Sequence, residues 1–367
     1  YHWVDAPIGV DENDVPIPGD GINDSLSVET SNIAESSGAV YLFEKNANEP
    51  NGWKQIAFIK QPTISLGQES YDIGFGKKVL LNNNRLYVSA PQHKVRILNG
   101  DDVILVKSGA VFVYELKNNP NTNTNDWVFL TTYQSESPKD DDNFGSALAV
   151  HDDLILIGAS GENEGRGAAH LYSSTGNSSD YPIIFTATNA DVGDAFGSSV
   201  ALSASKIFIG ASKEDSHGKG LNREKEDNSL QDSGAVYGYK LKELDEPGPW
   251  NEFVYIKADL PVEGAQFGYD IKFETGNLII GEPFRVNDNS LGQATLFELR
   301  EDELLPSSIA KFEAVETNIS AGNEQSNARF GMSLALFKNI FAIGANGYTN
   351  RELGIDKTHS GKAYIFQ

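Results

Sequence analysis

The chain has 367 residues, of which 39% are hydrophobic, and a net charge of −23, so it can bury a sizeable core. The acid excess argues against nucleic acid and anionic membrane surfaces as partners. With no cysteine, disulfides, zinc–thiolate centres and thiol nucleophiles are excluded, and no apolar run approaches the ~20 residues of a membrane span, so direct membrane insertion is not expected.

The chain opens Tyr1-His2-Trp3-Val4 with neither an initiator Met nor a signal peptide, and reads as a processed or trimmed product. From there one pattern recurs. A short apolar strand ends in a small-residue step, and a Gly-led strand follows after a loop. Residues 1–62 hold the step Ala6-Pro7, a long acidic loop over 8–37, the strand Gly38 to Phe43 and a last strand Trp53 to Ile59. Residues 63–136 add a first strand opened by Phe75-Gly76, a turn at Asn82-Asn83-Asn84, the step Ala90-Pro91, a loop over 92–108, Gly109 to Tyr114, and Trp127 to Tyr133.

Residues 137–188 repeat this with Phe144-Gly145, Asp152-Asp153, Leu154 to Ser160, a short Glu162–Arg166 loop, Gly167-Ala168-Ala169 and Pro182 to Thr186. Residues 189–259 carry Phe196-Gly197, Ile207 to Ser212, a loop over 213–232, Gly234 to Tyr239 and Trp250 to Ile256. Residues 260–315 carry Phe267-Gly268, Thr275-Gly276-Asn277, Leu278 to Pro283, a loop over 284–291, Gly292-Gln293-Ala294 and Ser307 to Phe312; residues 316–367 carry Phe330-Gly331, Lys338-Asn339, Gly344-Ala345-Asn346, a loop over 346–360 and Gly361 to Phe366. Asn, Asp and Gly tolerate positive φ, so the turns predict tight hairpins. Second strands such as Leu154 to Ile157 and Ile207 to Ile209 are apolar on both faces, which predicts burial on both. Helical signals are nearly absent; the charged stretch Lys240–Glu246 is stopped by Pro247 and Pro249.

Self-similarity at roughly 60 residues with four antiparallel strands per unit predicts an all-β chain, a β-propeller of four-stranded antiparallel blades forming a single domain over residues 1–367. Phe-Gly, Gly-Ala-Pro and Gly-Ala-Val-Tyr together resemble the FG-GAP repeat of integrin α-subunits and many bacterial surface proteins, and the Trp opening of the last strand is similar to the bacterial branch. Six units are visible. The resemblance implies a six- or seven-bladed ring with incomplete terminal blades, closed by flanking sequence or by another chain. It also implies an extracellular setting, and mostly adhesion or assembly. Where integrin repeats carry an Asp-rich calcium loop between first and second strands, this chain has hairpins of two or three residues. Those cannot gather the six to eight oxygens that calcium takes, so the integrin-type sites should be missing.

The long acidic loops leave one metal reading open. Asp11, Asn13, Asp14, Asp20, Asn23 and Asp24 lie in the first loop, either as a solvated surface or, for Asp11, Asn13, Asp14, Asp20 and Asp24, as calcium ligands. The series lacks the order of an EF-hand. Asp140-Asp141-Asp142 before Phe144, and Asp191 with Asp194 before Phe196, suit turn capping, with cation binding as the alternative. The six histidines (His2, His93, His151, His170, His217, His359) show no metal spacing, and no nucleophile motif occurs. Trp53, Trp127 and Trp250 recur at one position, which favours packing between blades over sugar stacking. The expected function is therefore a non-enzymatic, secreted or cell-surface interaction module without a cofactor. Its partner-binding surface would be the loops at 8–37, 92–108, 213–232, 284–291 and 346–360, all on one face, with a protein partner. Surface-glycan binding and a structural role in a larger surface assembly are the alternatives.

Overall fold

Tight turns set the register of the sheets. In the computed structural model, residues 22–23, 38–62, 74–99, 102–119, 124–173, 182–241, 250–287, 290–300, 303–304, 308–313, 328–347 and 361–367 are described. Their contacts divide the chain into two compact units, Tyr1–Ser146 and Ala147–Gln367. No described helix is long and apolar enough to cross a membrane.

The first unit holds β1 (Ile22–Asn23), β2 (Val40–Lys45) and β3 (Trp53–Ile59) in one sheet, ordered β1-β3-β2. Next come β4 (Val79–Asn82), β5 (Arg85–Ala90), a ribbon of β6 (Lys94–Asn99) and β7 (Asp102–Lys107), then β8 (Ala110–Asn119) and β9 (Thr124–Tyr133). The four-stranded antiparallel sheet here runs β4-β5-β8-β9. Asn82 pairs with Arg85 across the two-residue turn Asn83-Asn84, with Asn83 at φ 54°.

The second unit begins inside β10 (Phe144–His151), which forms a sheet with β11 (Leu154–Ala159), β12 (Ala168–Ser173) and β13 (Ile183–Phe185). β14 (Phe196–Leu202), β15 (Lys206–Ala211), β16 (Ala235–Leu241) and β17 (Trp250–Ile256) form the next, in chain order. β18 (Ile271–Glu274), β19 (Asn277–Asn287) and β20 (Ser290–Arg300) are followed by β21 (Glu303–Leu304) and β22 (Ala310–Glu313), both paired to β20. β23 (Phe330–Phe337), β24 (Ile340–Ala345) and β25 (Lys362–Phe366) close the series. The chain is thus all-β with several four-stranded antiparallel sheets. The helical turn at Glu162–Gly165 has left-handed Asn163 and Glu164, so it is a tight connection.

Pairing follows the repeat read from the sequence. Small-residue steps among the described residues sit opposite the start of the Gly-led strand: Ala90 with Ala110, Ala159 with Ala168, Ala211 with Ala235, and Gly281 with Ala294. The second strands β5, β11 and β15 are buried on both faces, whereas β24 alternates buried with partly exposed residues; β15 stands between two cores. Ile207 and Ile209 pack with Leu156, Leu171 and Phe196, while Phe208 between them packs with Ile256, Phe267 and Ile280. Ile279 in turn joins Phe330, Phe341 and Ile343.

One backbone joint links successive sheets. Gly234, just ahead of β16, has φ 82°, and a Cβ there would overlap the carbonyl oxygen of Phe267. The Phe267 N–H donates to the Ser233 carbonyl at 3.0 Å. Gly38, Gly109, Gly167 and Gly292 stand in the same relation to Phe75, Phe144, Phe196 and Phe330. The glycine after the phenylalanine lodges against the small-residue step of the preceding sheet, as Gly197 does on Gly158 and Gly268 on Gly210. The phenylalanine ring meets the third strand of its own sheet edge-on, Phe196 on Tyr237 at 5.3 Å and Phe330 on Tyr364 at 5.1 Å between centroids.

Three expectations need correcting. Residues 92–108 are not a plain loop: the apolar-rich stretches Val95–Leu98 and Val103–Val106 pair as the β6–β7 ribbon. Residues 284–291 are mostly strand, because β19 and β20 continue past a bulge between Glu282 and Val286 to the pair Asn287–Ser290. Trp53 is 54% exposed at the outer end of β3, whereas Trp127 packs on the core of the first unit and Trp250 meets Phe185 at 6.2 Å. Stacking into a core holds for two of the three tryptophans.

The joint predicts a graded response to added methyl groups. Gly264→Ala, at φ 71° with open space around it, should cost about 1–2 kcal/mol for the positive φ alone. Gly234→Ala should cost upwards of about 4 kcal/mol or prevent folding, since backbone must move; urea unfolding of the two variants measures the difference.

Candidate interaction site

The 213–232 connection is the longest of the fully described loops between second and third strands, and it is built on the edge of its own sheet. Leu221 bridges Ile256 on β17, the Asn222 N–H donates to the Tyr255 carbonyl at 2.8 Å, and the Tyr255 N–H donates to Asn222 Oδ1 at 2.8 Å. The returning arm is held by Asp215, whose carbonyl accepts from Leu230 N at 2.7 Å and whose Oδ1 accepts from Asp232 N at 2.7 Å.

Beneath the loop lies a buried polar network. Lys257 Nζ donates to Glu214 Oε2 at 2.7 Å and to Ser233 Oγ at 2.7 Å. Glu214 Oε1 accepts from the Tyr255 hydroxyl at 2.8 Å, and Ser216 Oγ lies 2.6 Å from that hydroxyl. The Tyr237 hydroxyl donates to Asn189 Oδ1 at 2.7 Å, and Asn189 Nδ2 donates to the Lys225 carbonyl at 2.6 Å, tying the loop's far arm to the same network. Lys257 and Glu214 are essentially inaccessible to water. Burial pulls the Lys257 ammonium below its usual range despite the adjacent carboxylate, and burial holds the Tyr255 and Tyr237 hydroxyls above theirs. Such a pair is retained through good geometry, and removing one partner strands the other charge.

The Lys257–Ser233 contact has the spacing of a lysine-activated nucleophile, but the serine is buried and its hydroxyl donates to the Ser216 carbonyl at 2.9 Å. A nucleophile needs a reachable oxygen. This one serves as a brace.

The rim of the loop is polar and exposed. His217 Nδ1 lies 2.6 Å from Asp227 Oδ1 and Nε2 lies 3.1 Å from Glu224 Oε2. The hydrogen bond to Asp227 raises the imidazole above its ordinary value. Ser229 shares Asp227 Oδ1, at 2.6 Å, so the three side chains form a clasp rather than a relay.

The acidic residues ahead of Phe-Gly cap turns. Asp142 Oδ2 accepts from Lys139 N at 2.7 Å and Asp194 Oδ2 from Asp191 N at 2.8 Å, the turn-capping role read from their recurrence. Burial, with Glu214, Asp191 and Asp215 nearby, pushes the Asp194 carboxyl up to about 7. Among the described residues no three His, Cys, Asp or Glu side chains converge as metal ligands. Asn23 lies on β1, while Asp11, Asn13, Asp14, Asp20 and Asp24 lie outside the described residues, as do His2 and His359. Lys257 and Glu214 stand 43 residues apart with no local signal joining them, so their pairing was not visible from sequence.

His93, at the foot of the ribbon, is buried edge-on to Phe112 at 5.2 Å, and burial lowers its imidazole to about 4. Neither family models nor curated proteins match the chain.

Two outcomes follow from these buried groups. Lys257→Met should lose about 3–5 kcal/mol in urea unfolding, and adding Glu214→Leu should recover part of that loss. Because unfolded His93 takes a proton near pH 6.5 and the folded form only near 4, its contribution is complete above pH 6.5. It should fall by up to about 3 kcal/mol on the way to pH 4, and His93→Gln should flatten that part of the stability–pH curve.

Proposed function

We propose that the chain is a non-enzymatic interaction module of FG-GAP-type β-propeller architecture, working outside the cell or at its surface. In this reading its partner is a protein held by the connections between second and third strands. The propeller reading is supported by the recurrence of one glycine–phenylalanine joint at five equivalent chain positions and by pairing that repeats sheet after sheet. With every joint alike, the second-to-third-strand connections would emerge on one face.

The observation that carries the reading is the 213–232 loop. Its base is fixed by the Lys257–Glu214–Tyr255 network, while Lys213, Lys219, Arg223, Glu226 and Gln231 on it remain exposed. A loop ordered before binding avoids the entropy cost of ordering on contact. Glycan recognition is the second reading, favoured by Trp53 and Phe43, each 54% exposed on the first sheet.

Arrays of extracellular proteins and of glycans separate the two. The protein-partner reading expects binding on the protein array and silence on the glycan array. It also expects loss of binding when residues 218–229 are replaced by a short Gly-Ser linker in a variant that still folds. Reproducible binding to one sugar, abolished by Trp53→Ala, would move the function to carbohydrate recognition. Unchanged protein binding after the loop replacement would remove the loop from the site.

A further inference from the structure

The β6–β7 ribbon is a two-stranded sheet that pairs with no further strand among the described residues. Two strands alone are marginal in water, and this ribbon is anchored only along one face, where Val95 and Val106 are buried. The opposite face exposes Lys94, Arg96, Leu98 and Leu105, with Leu98 80% exposed.

The direction of the free backbone groups follows from one observation. The Lys107 N–H donates to Asp140 Oδ1 at 2.7 Å, and the Lys107 carbonyl accepts from Asp141 N at 2.9 Å. Both polar groups of Lys107 therefore point away from β6, which makes Lys94–Lys107 a non-hydrogen-bonded pair. Alternation then turns the N–H and C=O of Lys94, Arg96 and Leu98 outward along the far edge of β6. Among the described residues no segment bonds to them. The edge of β7 is blocked at its end by residues 140–141; that of β6 is open among the described residues.

An open strand edge is a template for another strand. Here the exposed side chains on the edge are Lys94 and Arg96, followed by Leu98, in a chain whose net charge is −23. A partner strand would put alternate side chains beside these, so carboxylates opposite the cations, with apolar residues between them on the side of Val95 and Ile97, complete the match.

We propose that the outer edge of β6 is a strand-addition site for an extended acidic segment of a partner protein, one that alternates carboxylates with apolar residues. This specifies the partner chemistry of the interaction module proposed above and rests on that reading.

The probe is a fluorescein-labelled octapeptide alternating glutamate and valine, titrated with the full chain and followed by anisotropy at low and physiological salt. The expected result is saturable binding that weakens with salt. It should weaken at least tenfold for Lys94→Glu/Arg96→Glu, and at least tenfold for a peptide N-methylated at alternate residues, which keeps its charge but cannot complete the ladder. Both substituted side chains are exposed, so an unchanged thermal midpoint verifies that the double variant folds. Absence of binding, equal binding by the double variant, or equal binding of the N-methylated peptide would each overturn the proposal. Concentration-dependent dimers in sedimentation that vanish in the double variant would assign the edge to a second copy of this chain and overturn it as well. A protein that binds arrayed partners through the 213–232 loop yet ignores the peptide loses this proposal and keeps the module reading. One that binds the peptide but no arrayed protein keeps the β6 edge as a strand-addition site and loses the 213–232 loop as the partner surface.

Discussion

A backbone-to-backbone contact governs this fold: a left-handed glycine at the head of five third strands, pressed against the carbonyl of the next phenylalanine. No side chain fits between them, as the overlap at Gly234 and Phe267 makes plain. Because the joint consists of main chain, it fixes where the next sheet starts independently of the loop lengths around it. It also fixes the phenylalanine ring, which lands on the third strand of its own sheet, as Phe196 does on Tyr237. The small-residue steps have the same origin, since Gly158 and Gly210 meet the backbone of Gly197 and Gly268. Three recurring sequence marks are thus parts of one steric requirement.

Freed of that constraint, the connections diverge. Between β15 and β16 the chain spends its length on a braced polar loop, with Glu214 and Lys257 buried beneath an exposed charged rim. Between β5 and β8 it builds a ribbon with an open edge. Between β11 and β12 it closes in a single tight turn through Asn163 and Glu164. The same joint supports all three, because loop length enters folding free energy only weakly. Function, in the proposed reading, resides in what the joint leaves unspecified.

The strands and their register were legible because both rest on local chemistry. Asn83, Asp152 and Gly276 adopt the positive φ that their residue types favour, and the apolar runs of the second strands announced two-sided burial. The role of Asp142 and Asp194 as turn caps was also readable, from their place before Phe-Gly. What stayed hidden depends on distant partners. The residue just before each phenylalanine has positive φ, yet it is Gly74, Asn143, Ala195, Gln266 or Arg329, a set with no common propensity. Tertiary packing imposes it. The pairing of Lys257 with Glu214 stayed hidden because nothing local brings them together. The ribbon was hidden because the apolar stretches within Lys94–Lys107 fall where the repeat places a loop. The cation ligands considered in the first acidic loop, Asp11 to Asp24, fall outside the described residues apart from Asn23.

The joint's own hydrogen bonds test the account most directly. Amide hydrogen exchange of Phe144, Phe196 and Phe267, whose N–H groups donate to the carbonyls of Ser108, Arg166 and Ser233, should occur only through global unfolding and so share one high protection level. Exchange of these three amides as fast as that of the exposed turn around Gly264 would show that the joints open on their own, and would contradict the claim that they organise the fold.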